Sequence, residues 1–214
     1  MCGRLKIFRP ILLFILFLAG SMKTGRPLLA DNQQDDNNNV VINEIHYDPD
    51  VKTELVEFVE LYNPGSAYIN LAGWYFSDGI TYQFPIGAVL PAGGYVIVVQ
   101  NPAHVQNKWR NIPADSIFGP FEGKLDNDGE KIELCNADGE EIDQVDYQLG
   151  FPWPTVGAAI LDNNPGTGRS IQLINPSIDN DLAGSWRSSG YREDVDRAEF
   201  AFGIPTPGLQ NSVY

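Results

Sequence analysis

The sequence predicts one all-β domain, a sandwich or barrel of short antiparallel strands. From Val40 onward, short runs rich in Val, Ile, Tyr and Phe alternate with clusters of Gly, Pro, Asn and Asp. This spacing is typical of strands joined by turns. Asp-Gly pairs follow two of these runs and favour hairpins. Only one segment has the features of a helix. These observations exclude a fold with alternating strands and helices.

The predicted strands are short runs of four to eight residues. In chain order they are 40–46, 55–62, 73–77, 81–84, 95–100, 131–135, 141–147 and 170–174. The one predicted helix covers 103–110, because Asn101 and Pro102 provide a capping residue and a first-turn proline before it.

Turn residues predict antiparallel pairing. Asp78-Gly79 separates two runs as a two-residue hairpin. The segment 136–139 predicts a longer hairpin with Gly139 in the left-handed region. After it, the parity of the apolar residues changes between Ile142 and Val145, which predicts a β-bulge near Asp143 and Gln144.

The first thirty residues differ from the rest. Arg4, Lys6 and Arg9 precede an apolar run at 11–18 and then small residues, the pattern of a secretory signal peptide. The run is too short for a membrane-spanning helix, which needs about 20 residues. We expect residues 1–30 to be an export signal and 31–39 a disordered polar lead-in. Residues 40–214 then form one domain, secreted or at the cell surface.

The charge of the exported chain excludes some partners. Residues 1–30 contain five cations and no acid, so the remainder carries nine cations and 28 acids, a formal charge of −19. Phosphate backbones are bound by clustered Lys and Arg. The sequence therefore predicts no nucleic-acid partner, and no membrane partner after signal cleavage. Divalent cations and basic partners stay open.

One acidic run suggests a metal site. Asp126, Asp128 and Glu130 alternate with Asn127 and Gly129. Oxygen ligands in this spacing suit calcium, which takes six to eight of them, although the run lacks the twelve-residue spacing of an EF-hand. The competing interpretation is a polar turn before the strand 131–135. Calcium is the only cofactor for which the sequence offers candidate ligands.

A second group of acids could serve catalysis. Glu44, Glu57 and Glu60 lie in or near the first two predicted strands. If these strands pair, two of the carboxylates face one another, as a glycosidase requires in a cleft. The alternative interpretation places Glu57 and Glu60 on opposite faces, because their offset is odd, with one solvated and the other bonded to a loop.

Other catalytic or binding signals are weak. His46 and His104 are the only histidines and have no partner at metal-ligand spacing, and no G-x-S-x-G turn presents a nucleophile. Exposed aromatic residues beside Asp and Asn would suit sugar recognition. Core packing is the alternative role for these aromatics, which are Tyr75, Tyr82, Trp109, Phe151 and Trp153.

An ordered series of short motifs resembles the lamin tail domain, in particular its secreted bacterial members. The series is Asn43-Glu44-Ile45, 57–63, 70–74, Phe84-Pro85, 89–99, 124–134, 142–147, Trp153-Pro154, 170–173, Trp186 and 205–208. The resemblance implies an immunoglobulin-like antiparallel β-sandwich and transfers no catalytic signature. The chain has no heptads, so the filament-forming role of nuclear lamins is not carried over.

The functional expectation is a non-enzymatic binding or adhesion module that contacts a protein or a carbohydrate. Two alternatives stay open. One is a calcium-dependent extracellular hydrolase that acts on glycan or phosphodiester bonds. The other is a structural domain that calcium stiffens.

Overall fold

The computed structural model of the protein describes residues 39–154, 168–189 and 207. They form twelve strands, β1 to β12, at Val41–His46, Phe58–Tyr62, Ile69–Asn70, Tyr75–Asp78, Tyr82–Gln83, Val89–Leu90, Tyr95–Val99, Ile117–Phe118, Gly129–Cys135, Glu141–Gln148, Ile171–Leu173 and Trp186–Ser188. One helix, α1, spans Pro102–Lys108, and 3₁₀ turns lie at Ala114–Ser116 and Ala183–Ser185. The predicted export signal, at 1–30, and all of the predicted polar lead-in except Asn39 lie outside the described residues.

Six strands form the larger sheet, in the order β12-β11-β1-β2-β7-β8. All neighbours are antiparallel except β7 and β8. Parallel neighbours need a crossover connection, and α1 lies in the connection between these two strands. A second sheet has the order β10-β9-β4-β5, and β3 pairs with β6 as a small third sheet.

The main core lies between the two larger sheets. Residues on both sides of a register shift in β1 and alternate residues of β2 enter it from the larger sheet, and residues of β4, β9 and β10 enter it from the other. These core residues include Ile42, Ile45, Val59, Leu61, Phe76, Ile132, Leu134 and Val145. The described chain is therefore an all-β, immunoglobulin-like sandwich, as predicted.

A smaller apolar cluster covers one end of the opposite face of the larger sheet. Phe58, Ile97 and Val99 project from β2 and β7 on that face and pack with Val105 of α1. The Trp109 ring also packs there, 5.7 Å from the ring of Phe58 in an edge-on contact. This face therefore has a buried apolar end next to α1.

The helix follows its sequence signals closely. The Asn101 side chain accepts hydrogen bonds from the main-chain N–H groups of Ala103 and His104, which confirms it as the cap. Pro102 occupies the first turn, where no N–H is needed. The helix ends at Lys108, two residues before the predicted end, because Trp109 leaves helical geometry at φ −118° and ψ 81°.

All eight predicted strands are present, with ends shifted by up to three residues. The hairpin at 136–139 is confirmed: Gly139 has φ +79°, and Asn136 Oδ1 accepts from the main-chain N–H groups of Asp138 and Glu140. The predicted bulge is confirmed and lies one residue earlier in the chain than predicted, because the register shifts between Glu141 and Asp143.

The predicted two-residue hairpin at Asp78-Gly79 is wrong. Phe76 pairs with Tyr82, so the connection is longer. Thr81 instead forms a bridge with Glu122, which draws this end of the chain away from β4. Gly79 still supplies the left-handed residue of the turn, at φ +81°.

Candidate functional site

Buried polar side chains lie where β11, β1 and β2 run side by side, on the face turned away from the main core. Glu44 is paired with Gln172 on one side and with Glu60 on the other, and all three are fully buried. Ser170 donates its hydroxyl to Glu44 Oε1 at 2.5 Å, and Asn43 Nδ2 donates to Glu60 Oε1 at 2.8 Å. Glu44 and Glu60 therefore lie directly opposite each other on paired strands, as expected for two of the three acids if the first two strands pair.

This pair has the wrong accessibility for a hydrolytic site. A glycosidase holds its two carboxyl groups on either side of a substrate in a cleft. Glu44 and Glu60 have no exposed surface, and each already accepts a hydrogen bond from a neighbouring side chain. Their geometry supports a structural polar layer within the fold, and it gives the hydrolase alternative no support.

The expectation for Glu57 and Glu60 is corrected in part. One of them was expected to be solvated, but both are buried. Glu57 Oε2 accepts from the main-chain N–H of Leu125 at 2.8 Å, so it is bonded to a loop as expected. Burial raises the pKa of Glu57 above its ordinary value, and the hydrogen bond from Leu125 opposes that rise. Glu60 is fully buried, lies opposite Glu44 and accepts a hydrogen bond from Asn43.

His46 is the last residue of β1 and is fully buried. Its Nε2 lies 3.1 Å from the carbonyl oxygen of Gly168, so Nε2 carries the proton and donates it. The ring stacks on Phe58 at 5.4 Å and meets the edge of Trp109 at 5.7 Å. Burial lowers the pKa of His46 to about 4. The imidazole is therefore neutral at physiological pH and packs in the core between the rings of Phe58 and Trp109.

The acidic run predicted to bind calcium forms a tight turn. Asp126 Oδ1 accepts from the main-chain N–H of Asp128 at 2.9 Å. Glu130 Oε1 accepts from the N–H of Asp126 at 2.5 Å and from the Tyr147 hydroxyl at 3.0 Å. In the described ranges, no group of three or more His, Cys, Asp or Glu side chains is arranged to hold a metal ion. The calcium site stays a prediction.

Thermal unfolding tests the calcium hypothesis. At a calcium concentration about 100-fold above the dissociation constant, binding through Asp126, Asp128 and Glu130 would stabilise the fold by about 2.7 kcal/mol. We expect this gain to vanish with a chelator and in Asp128→Asn, while Asp138→Asn, in the turn at 136–139, retains it. A midpoint that is the same with calcium and with chelator contradicts the hypothesis and leaves the turn as the role of this run.

A polar clamp joins the two larger sheets near the start of β1. Asp143 Oδ2 accepts from the main-chain N–H of Ile42 at 2.6 Å and from Asn180 Nδ2 at 2.7 Å. Asn180 in turn accepts from the indole N–H of Trp186 at 2.6 Å through its carbonyl. Burial raises the pKa of Asp143 to about 6. These contacts fix the loop before β12 against the sandwich.

A groove at the open edge of the sandwich differs from these interior groups, because it faces solvent. It measures about 480 Å³ and lies between the turn after β5 and the residues around β8. We call it the edge groove; its lining residues are Pro85, Ile86, Gly87, Ala88, Val89, Pro91, Val96, Asp115, Ser116 and Phe118. Ile86 is 99% exposed at its rim and Val89 is 40% exposed.

Ile86 was not among the predicted site residues. Its signal is nevertheless visible in the sequence: an isoleucine between Pro85 and Gly87 lies in a turn rather than in a strand. The opposite wall, around Phe118, is more than 25 residues away and could not be assigned to the same surface from the sequence. Long-range packing brings the two walls together.

The aromatic residues divide between core and surface. Trp153 is buried, and its ring centroid lies 6.3 Å from that of Trp186. Tyr75, Tyr82 and Trp109 are partly buried. Phe151 is 98% exposed. The core role is therefore confirmed for Trp153, and Phe151 is the one aromatic of this group that is nearly fully exposed.

The fold and its solvent-facing groove define an immunoglobulin-like β-sandwich module. A family model for the lamin tail domain matches residues 33–148, more than half of the chain, and the chain belongs to this family. The family consists of non-catalytic immunoglobulin-like domains. A search of curated proteins finds no significant match. No helix in the described ranges is long and apolar enough to cross a membrane.

Proposed function

We propose that this chain is a secreted, non-enzymatic binding or adhesion module that contacts a protein or a glycan at or outside the cell surface. The observation that carries the proposal is the edge groove, with Ile86 almost entirely exposed at its rim. Exposed apolar surface that is continuous with a groove is a common mark of a binding site. Family membership supports a role without catalysis.

The secreted location rests on the sequence. The basic start, the apolar run at 11–18 and the small residues after it are the features of an export signal. Residues 1–30 fused to a reporter enzyme should direct it out of the cell. A variant with Leu12, Leu13 and Phe14 changed to Asp should keep the reporter inside. Retention of the reporter by the unaltered segment contradicts secretion.

Binding is tested on the purified chain. The immobilised protein is incubated with surface extracts of its source cells, and the protein in solution is applied to a glycan array. The bound material is identified in each case. We expect one saturable partner, and we expect Ile86→Ser to weaken its binding, because the substitution removes the exposed apolar side chain. Release of product from glycan or phosphodiester substrates, with or without calcium, would contradict the non-enzymatic assignment.

A further inference from the structure

We propose that the edge groove binds a short extended peptide in which apolar side chains alternate with Lys or Arg. The inference rests on the proposed function and deepens it, because it names the class of partner. It depends on the geometry of the sheet edge, the chemistry of the groove lining and the charge of the chain.

The geometry suits an added strand. β8 is the outermost strand of the larger sheet and pairs with β7 only, among the residues that the structure describes. An edge strand exposes main-chain N–H and C=O groups to which an extended peptide can bind. Phe118 of β8 lines the groove, so a peptide along this strand would place alternate side chains over the groove and against Ile86.

The lining favours a peptide over a sugar. Sugar sites combine hydrogen-bonding side chains with an exposed aromatic face. Of the ten lining residues, only Asp115 and Ser116 have polar side chains. Phe118 is the one aromatic residue of the lining, and its ring is engaged with that of Phe84, at 5.2 Å in an edge-on contact. The side chains of the lining therefore offer mainly apolar contacts, and only those of Asp115 and Ser116 can form hydrogen bonds with the hydroxyl groups of a sugar.

The charge of the chain indicates which residues should flank the apolar side chains of the peptide. The whole sequence carries a formal charge of −14, and the groove lining includes the acid Asp115 and no Lys, Arg or His. Opposite charge raises the rate of encounter and suppresses partners of the same charge. A peptide with cations beside its apolar residues therefore matches the groove. A second copy of this acidic chain does not.

Fluorescence anisotropy with defined peptides tests the inference. The probe is a labelled peptide of about seven residues that alternates Lys and Val, and the charge control alternates Lys and Ser. We expect the Lys-Ser peptide to bind at least about tenfold more weakly, because it lacks the apolar contacts. Ile86→Ser should weaken binding of the Lys-Val peptide about tenfold. Ile178→Ser, at another exposed isoleucine (42%), should leave it within about twofold.

Several results would overturn the proposal. The proposal fails if the Lys-Val peptide shows no saturable binding or if the two peptides bind equally well. It also fails if the wild type and Ile86→Ser bind the Lys-Val peptide equally well. Self-association of the chain that Ile86→Ser abolishes would also overturn it, because a second copy would then occupy the groove. If a glycan or protein partner still binds Ile86→Ser at full strength, the chain remains a binding module, but the edge groove is not its site and the peptide assignment falls.

Discussion

Replacing Trp186 by Ala should lower the free energy of unfolding by about 3–5 kcal/mol, the range measured for removal of large aromatic residues from protein cores. Trp186 in β12 is fully buried in the main core. Its ring packs 6.3 Å from that of Trp153, and its indole N–H donates to the carbonyl of Asn180. The substitution therefore removes packing and leaves the Asn180 carbonyl without its donor.

Urea denaturation of the wild type and two comparison variants measures this effect. Trp186→Phe keeps an aromatic ring and loses the indole N–H, so we expect a smaller cost of about 1–3 kcal/mol. Leu182→Ala is the matched surface control, because Leu182 is 58% exposed in the same segment, and it should change stability by no more than about 0.5 kcal/mol. A loss below about 1 kcal/mol for Trp186→Ala would show that β12 is not part of the cooperative core.

The sandwich extends beyond the segment that matches the family. The family match ends at residue 148, but the larger sheet continues beyond it. β11 pairs with β1, with Ile171 opposite Ile45, and β12 pairs with β11. Leu173 and Trp186 belong to the same core as residues of the matched segment. The folded unit therefore extends at least to β12.

Local signals in the sequence predicted local structure well. Asn101 and Pro102 determined the start of α1, and Asn136 with Gly139 determined the hairpin between β9 and β10. In each case the side chain or the backbone preference acts within a few residues. The apolar alternation predicted the longer strands for the same reason. The change of parity after Ile142 also located the bulge in β10. Next to this bulge, Asp143 accepts a hydrogen bond from Ile42 of the other sheet.

The remainder depends on contacts between distant parts of the chain. β3, β6 and β8 have two residues each, too few to show an alternation. The longer connection between β4 and β5 depends on the bridge from Thr81 to Glu122, about 40 residues away. The burial of Glu44 beside Glu60 depends on the register of β1 and β2. A pattern in the sequence suggests such pairings but does not fix which side of the sheet is covered.

Acidification should affect His46 and Asp143 in opposite directions. The pKa of His46 in the fold is about 4, below its ordinary value of 6.5, so the unfolded chain takes up a proton first and stability is lost as the pH falls from about 6.5 to 4. The pKa of Asp143 is about 6, above its ordinary value of 3.8, so stability is gained as the pH falls from about 6 to 3.8. Each effect amounts to at most about 3 kcal/mol.

Burial is the leading cause in both cases, and nearby charges modify it. Lys108 lowers the pKa of His46 further, whereas Asp50 and the hydrogen bond to Gly168 raise it. For Asp143, the hydrogen bonds from Ile42 and Asn180 oppose the rise, and Asp181 adds to it. Because the two effects have opposite signs over nearly the same pH range, they largely cancel in the wild type.

Two conservative variants separate these effects. His46→Gln removes the titrating ring and keeps a donor for Gly168, and Asp143→Asn keeps an acceptor for Ile42 and Asn180. Between about pH 7 and pH 4, His46→Gln should gain up to about 3 kcal/mol relative to the wild type, and Asp143→Asn should lose a similar amount. Urea denaturation at several pH values measures both, and the double variant should show the sum, because the sites share no partner. If the difference in unfolding free energy between each variant and the wild type stays constant with pH, neither His46 nor Asp143 has a shifted pKa. The polar clamp and the surroundings of His46 would then be accessible to water.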